Sequence, residues 1–135
     1  MADLQPPLEA ALRRGDPRAA VDAFFDYMCP GLWRRLDDAG REPYRANHGE
    51  LLPDLQMPAY GIGVEDLATI SVPCTIVSGS ESHPVLRRVA RVIAGALPKA
   101  QFVEFKGSGH VTYAEAPEAF AELVLQAAGV TDRVA

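Results

Sequence analysis

The runs "CTIVSG" at residues 74–79 and "QFVEFKGSGH" at residues 101–110 decide how this chain folds. The first is a short, continuous apolar and β-branched stretch closed by Gly79, the pattern of a strand buried on both faces. After it, Leu86, Val89, Ala90, Ile93, Ala94 and Leu97 recur at the three-and-four spacing of one helical face, until Pro98 stops them. "QFVEF" is a second short strand, and it runs into a Gly-Ser-Gly turn and His110. Pro117 then starts a last helix with Phe120, Leu123, Val124, Ala127 and Ala128 on its apolar side. Strand, helix, strand and helix within about sixty residues predict parallel strands joined by a right-handed crossover.

Upstream the texture is helical, and no strand is expected before residue 72. "PPLEAALRRGD" reads as a short helix ended by Gly15, and Asp16-Pro17 supplies the cap and first position of a second helix. That helix carries Ala20, Val21, Phe24, Phe25 and Met28 on one face, which reads first as packing. "CPG" breaks it, Leu32, Trp33 and Leu36 begin another stretch, and Tyr44 to Leu55 predicts one more helix ending before Pro58. "VEDLATISVP" reads as the turn into the first strand. The expected division is residues 1–70, helical, and residues 71–135, the strand-helix-strand-helix unit.

A chain of 135 residues that is 48% hydrophobic is an ordinary length and composition for a single folded domain. Its net charge of -5 and scattered Arg pairs argue against a nucleic-acid partner, which needs clustered cations. "MADLQPPLEA" has neither a cationic leader nor an apolar signal core, and no apolar run approaches a membrane span, so a cytoplasmic protein without membrane contact is expected. Cys29 and Cys74 lie far apart without metal-ligand spacing, so neither zinc nor a disulfide framework is indicated, and Cys74 reads as a small buried hydrophobe.

"LATISVPCTIVSGSES", a helix closing on "ALP", "AQFVEFKGSGH" and "APEAFAELV" together resemble the C-terminal third of an α/β-hydrolase. "GDPRAAVDAFFDYMCPGLWRRL" and "REPYRANHGELLPDL" resemble the helical lid that many members insert before those strands. The resemblance implies the fold class: α/β, a partial α/β-hydrolase fold with a helical lid followed by a parallel strand-helix-strand-helix unit. It covers nearly all of this chain but only about half of an ordinary member. It also implies that the loops after the two strands carry, in turn, the acid of a catalytic triad and its histidine.

His110 stands in the context of that histidine: an apolar strand, a Gly-x-Gly turn, the His, then a Pro-Glu helix start. A general base must be held at a strand's C-terminal end, open to substrate, with one ring nitrogen toward the nucleophile and the other toward an acid. A loop histidine bonded to a backbone carbonyl is the plainer alternative. The acid's position in "GSESH" is filled by Ser82, which cannot orient an imidazole by charge. Its neighbour Glu81 is the fallback acid, with a solvated turn glutamate as the alternative reading.

The nucleophile elbow G-x-S-x-G occurs nowhere in these residues. Ser108 lies beside His110, but adjacent residues of a tight turn point apart, and no helix begins directly after it. The backbone donors of an oxyanion hole, which the family draws from the first half of its fold, are missing as well. "GSG" lacks the third glycine of a dinucleotide turn, and the spacing of His48, His83 and His110 with Glu50 and Glu81 supports no metal site. The reading therefore requires neither cofactor nor metal. Phe24, Phe25, Trp33, Tyr44 and Met57 are the expected lining of a pocket for a small apolar substrate or ligand.

Two parallel strands leave open edges, which sets three expectations. The chain is a truncated hydrolase inactive alone; or a separate N-terminal half docks on a strand edge and supplies the nucleophile; or the piece is a non-catalytic binding module, closed as a homo-oligomer through its strand edges. The implied reaction of the complete family is hydrolysis of an ester or related acyl bond.

Overall fold

The computed structural model describes residues 5–54 and 61–129, which fall into two compact units divided between Gly61 and Ile62. The first is helical, with α1 (Gln5–Arg13), α2 (Pro17–Met28), α3 (Pro30–Arg35), α4 (Asp38–Ala46) and α5 (His48–Asp54). The second contains α6 (Val64–Leu67), β1 (Cys74–Gly79), α7 (Pro84–Ala96), β2 (Ala100–Phe105), α8 (Thr112–Glu115) and α9 (Pro117–Ala127). This is the α/β order read from the sequence.

In the helical unit, local chemistry sets most boundaries. Gly15 at φ 66° turns the chain out of α1, since only glycine enters the left-handed region without cost. Asp16 then caps α2 by accepting from the Ala19 N–H at 3.0 Å, with Pro17 preset at the first position. Helix α1 packs on α2 through small side chains, and Ala11, Ala20 and Val21 are buried. The expected single helix from Tyr44 onward is instead two. Asp37 caps an earlier start by accepting from the Gly40 N–H at 2.8 Å, and the turn closes at Asn47, whose N–H reaches back to the Tyr44 carbonyl at 3.2 Å. The predicted end at Leu55 lies outside the described residues.

Arginines tie these helices together. Arg45, with its side chain 13% exposed, grips Asp22 of α2 through Nε at 2.8 Å and Nη2 at 3.0 Å, and meets Asp38 at 3.2 Å. The Asp22 hydrogen bond leads in pushing the Arg45 pKa above its already high ordinary value. Arg41 places Nη2 2.8 Å from the Trp33 carbonyl and its guanidinium 5.2 Å from the centre of the Trp33 ring, closing the end of α3.

In the second unit β1 and β2 are parallel and in register from Cys74↔Ala100 to Gly79↔Phe105, and among the described residues the sheet has two strands. Alternation along a strand assigns the faces. Glu104 meets Arg91 of α7 at 3.0 Å and Arg87 at 3.3 Å, while Phe102, two residues earlier, lies under Arg91. The opposite face, with Phe105, meets Phe120 of α9 edge-on at 6.4 Å between ring centres. Helices α7 and α9 thus cover opposite faces, as a parallel sheet requires.

The cover is partial. Cys74–Val77 are half-buried, so the strand expected to be enclosed on both faces is enclosed only at Ser78 and Gly79. A groove of about 710 Å³ runs between α9 and the first residues of both strands. Val124, Ala127 and Ala128, expected to be buried, are exposed along it. On α7, Leu97 is buried and Leu86 and Ile93 half-buried, whereas Val89, predicted in the same seam, is 47% exposed. It joins Val85 and Val92 on an apolar stripe toward α6, a one-turn helix inside the segment read as a turn.

The sheet ends at a backbone contact. A β-carbon built on Gly79 would overlap the carbonyl oxygens of Ser108 and Gly109, so the loop after β2 rests on the bare backbone of β1. Gly79→Ala is expected to lower stability by about 1–3 kcal/mol, read as a lower urea midpoint at unchanged slope. Gly95 in α7 has open space around its α-carbon, so Gly95→Ala should raise stability by up to about 1 kcal/mol. Hydrogen bonds from Arg91, and then from Arg87, hold the Glu104 carboxyl below its ordinary pKa, and Arg18 does the same for Glu42. A depressed carboxylate contributes stability above its unfolded-state pKa and loses it as pH falls through the lower folded-state value. Thermal midpoints should therefore drop on acidification through and below the ordinary glutamate range, and Glu104→Gln should flatten part of that slope.

Candidate active-site loops

The parallel register brings the C-terminal ends of both strands to one edge, and the loops leaving them are laced together. The Ser80 N–H donates to the Phe105 carbonyl at 2.9 Å, and the Glu81 N–H donates to the Ser108 carbonyl at 2.9 Å. In return, the Ser80 Oγ accepts from the Gly107 N–H at 2.8 Å. Gly107 sits at φ 76°, the left-handed conformation that lets the chain reverse directly after Lys106. The two loops expected to carry acid and base therefore form one body.

Within it, the predicted residues occupy different environments. His110 is exposed at the end of the Gly107–Gly109 turn, open to solvent as a general base must be. Glu81 is also exposed. Among the described residues neither the imidazole of His110 nor the carboxylate of Glu81 has a hydrogen-bond partner, so the loops are joined by backbone and by Ser80 rather than by this pair. Ser82, at the position the resemblance assigns to the acid, is buried, with its N–H on the Gly79 carbonyl at 3.2 Å. His83 caps α7, its Nδ1 accepting from the Val85 N–H at 3.3 Å.

Ser108 is 3% exposed, and its Oγ donates to the Glu115 carboxylate at 3.2 Å. The same Glu115 oxygen accepts the Gly109 N–H. Sequence reasoning missed Glu115 and Ser80. Neither follows a periodic pattern; each acts by reaching across a loop, and the one-turn helix α8 that carries Glu115 is too short to leave a periodic signal. Among the described residues no three His, Cys, Asp or Glu side chains converge as metal ligands.

In the helical unit, the aromatic residues pack on one another. Phe25 stacks on Trp33 at 5.0 Å between ring centres and meets Tyr44 edge-on at 4.9 Å, and Phe24 meets Phe25 edge-on at 5.3 Å. Such contacts add about 0.5–1.5 kcal/mol each beyond area burial. Trp33 is 3% exposed and lies within this cluster, while Phe25 and Tyr44 also face a cleft of about 480 Å³ lined further by Pro43, Ala46, Asn47 and Leu51. Met57, the fifth predicted lining residue, lies outside the described residues.

A sequence model of the alpha/beta hydrolase family matches residues 1–123. No curated protein matches the sequence. Among solved structures, the chain is similar to an alpha/beta hydrolase from Sphaerobacter thermophilus at 24% identity and a TM-score of 0.63, covering 93% of this chain and 49% of that one. It is similar too to an esterase from a Rhodococcus species at 18% identity and a TM-score of 0.68, covering 96% of this chain and 48% of that one. Both likenesses are of fold, and the chain spans about half the length of either structure. With the family model matched over most of its length, this chain belongs to the alpha/beta hydrolase family.

Proposed function

We propose that this chain is the histidine-bearing part of a hydrolase acting on an ester or related acyl bond, and that it is inactive until a nucleophile is supplied from outside its 135 residues. The observation that carries the reading is His110, held at the C-terminal end of a parallel strand on a loop laced to the end of its neighbour. Its imidazole takes the proton from the nucleophile as the acyl bond is attacked and returns it to the leaving group. Glu81, on the adjoining turn, serves as the acid that orients the ring once the loops are covered and water is displaced. Phe25 and Tyr44 supply the cleft of the helical unit with an apolar surface for a small ligand, with Phe24 and Trp33 packed behind Phe25, and the family's lid is the role proposed for that unit.

The missing parts are a nucleophile elbow and an oxyanion hole, and the open edge of β1 gives a partner bearing them a place to pair. An unpaired parallel edge exposes a row of backbone donors and acceptors that another strand satisfies. The partner is therefore a strand-bearing half of the same fold, working in the cytoplasm. A second reading, a non-catalytic binding module, is favoured by the 480 Å³ cleft beside Phe25 and Tyr44, which exists without any catalytic group.

The test is hydrolysis of a p-nitrophenyl ester by the purified chain, alone and mixed with a hydrolase half carrying G-x-S-x-G. The chain alone should show no turnover above buffer; the mixture should, and His110→Ala in the mixture should abolish it. Turnover by the chain alone that disappears in His110→Ala would overturn the proposed division of labour. A mixture that assembles but stays inert would favour the binding-module reading.

A further inference from the structure

We infer that Glu115 is the positioning residue that fixes the backbone of His110, and with it the direction in which the side chain leaves the loop, by acting on both sides of it. Its carboxylate accepts the N–H of Gly109, immediately before the histidine, and its own N–H donates at 3.0 Å to the carbonyl of Val111, immediately after. One residue thus holds both neighbours of His110, and the histidine backbone is spanned by a closed hydrogen-bonded ring. The carboxylate also receives the Ser108 hydroxyl at 3.2 Å, which ties the ring to a residue that is itself 3% exposed. A β-carbon on Gly109 would press against the Glu115 carboxylate, so the close approach depends on glycine at 109.

The imidazole has no hydrogen-bond partner of its own among the described residues, so what this backbone sets is the direction of its Cα–Cβ bond. A carboxylate accepting an N–H makes a charge-assisted bond, stronger than a neutral one. A glutamine at 115 keeps an oxygen at the same reach and loses the charge. An alanine removes the ties to Gly109 and Ser108 while leaving the Glu115 backbone bond to Val111 in place.

The assignment rests on the reading of His110 as a general base, but its first test does not require catalysis. In the intact chain, amide exchange at Gly109 and backbone order at His110 are measured by NMR in the native protein and in Glu115→Ala, Glu115→Gln and the control Glu118→Ala. Gly109 should be protected in the native protein and exchange roughly ten- to a hundredfold faster in Glu115→Ala. The backbone order parameter at His110 should fall in the same variant. Glu115→Gln should restore most of both, and Glu118→Ala should change neither. An unprotected Gly109 amide in the native protein, or unchanged backbone order at His110 in a folded Glu115→Ala, overturns the inference. Measurement on the native protein decides the matter even where Glu115→Ala fails to fold.

Where hydrolysis is reconstituted with a nucleophile-bearing half, Glu115→Ala should lower kcat about 10²-fold with KM unchanged, the loss expected when a catalytic group is misaimed. A rise in KM with kcat intact would place Glu115 in substrate binding instead and overturn the positioning role. Protection at Gly109 that responds to Glu115, alongside a reconstituted enzyme indifferent to His110→Ala, would refute the general-base reading and leave the structural bracket standing.

Discussion

The contact on which the rest depends is between Gly79 and the loop that carries His110. Parallel pairing puts Gly79 opposite Phe105, so both chains leave the sheet at the same level and must pass each other. They do so with the carbonyls of Ser108 and Gly109 against an α-carbon that bears no side chain. This proximity lets the Glu81 N–H reach Ser108 and the Ser80 hydroxyl reach the Gly107 N–H. A bulkier residue at 79 would separate the two loops and break each of those bonds together. The site is therefore better described as one knitted turn than as two loops that happen to be near.

The second constraint is the small extent of the sheet. Two strands present two faces, and one helix on each cannot enclose them; a parallel sheet is ordinarily covered on both sides by several helices. The consequence appears in specific side chains: Val89 faces outward on α7, Val124 faces outward on α9, and Phe102 is only partly sheltered beneath Arg91. Each leaves apolar area in water at roughly 25 cal/mol per Å². A further strand or helix laid on either face would recover that area. Folding stability and completeness of the fold are thus linked through the same residues.

The sequence made the elements with strong periodicity or punctuation legible. Both strands, α7 between Pro84 and Leu97, the Asp16-Pro17 start of α2 and the Gly-x-Gly approach to His110 can be read because spacing, proline and glycine act locally. The exposure of Val89 and Val124 could not be read that way: helical spacing marks a face as apolar, and whether that face is covered depends on how many strands lie beneath it. The start of α4 at Asp38 was hidden because Pro43 sits inside that helix, where proline usually marks an end, and the break at Asn47 carries neither glycine nor proline to announce it. Glu115 was hidden for a different reason. A carboxylate that accepts from an amide six residues earlier follows no repeat, and only the folded loop shows what it holds.

The position of Ser108 explains why a serine two residues before the histidine is not its nucleophile. A serine nucleophile must present its oxygen to substrate and its proton to the imidazole. Ser108 is buried, and its hydroxyl donates to Glu115, so its proton is directed at a carboxylate that is already bonded to the Gly109 amide. Turning it outward would cost the loop one of the ties that hold His110 in place. The same hydroxyl cannot both anchor the base and be activated by it, so the structural role of Ser108 excludes the catalytic one, and under the proposed reading the attacking group has to come from another segment.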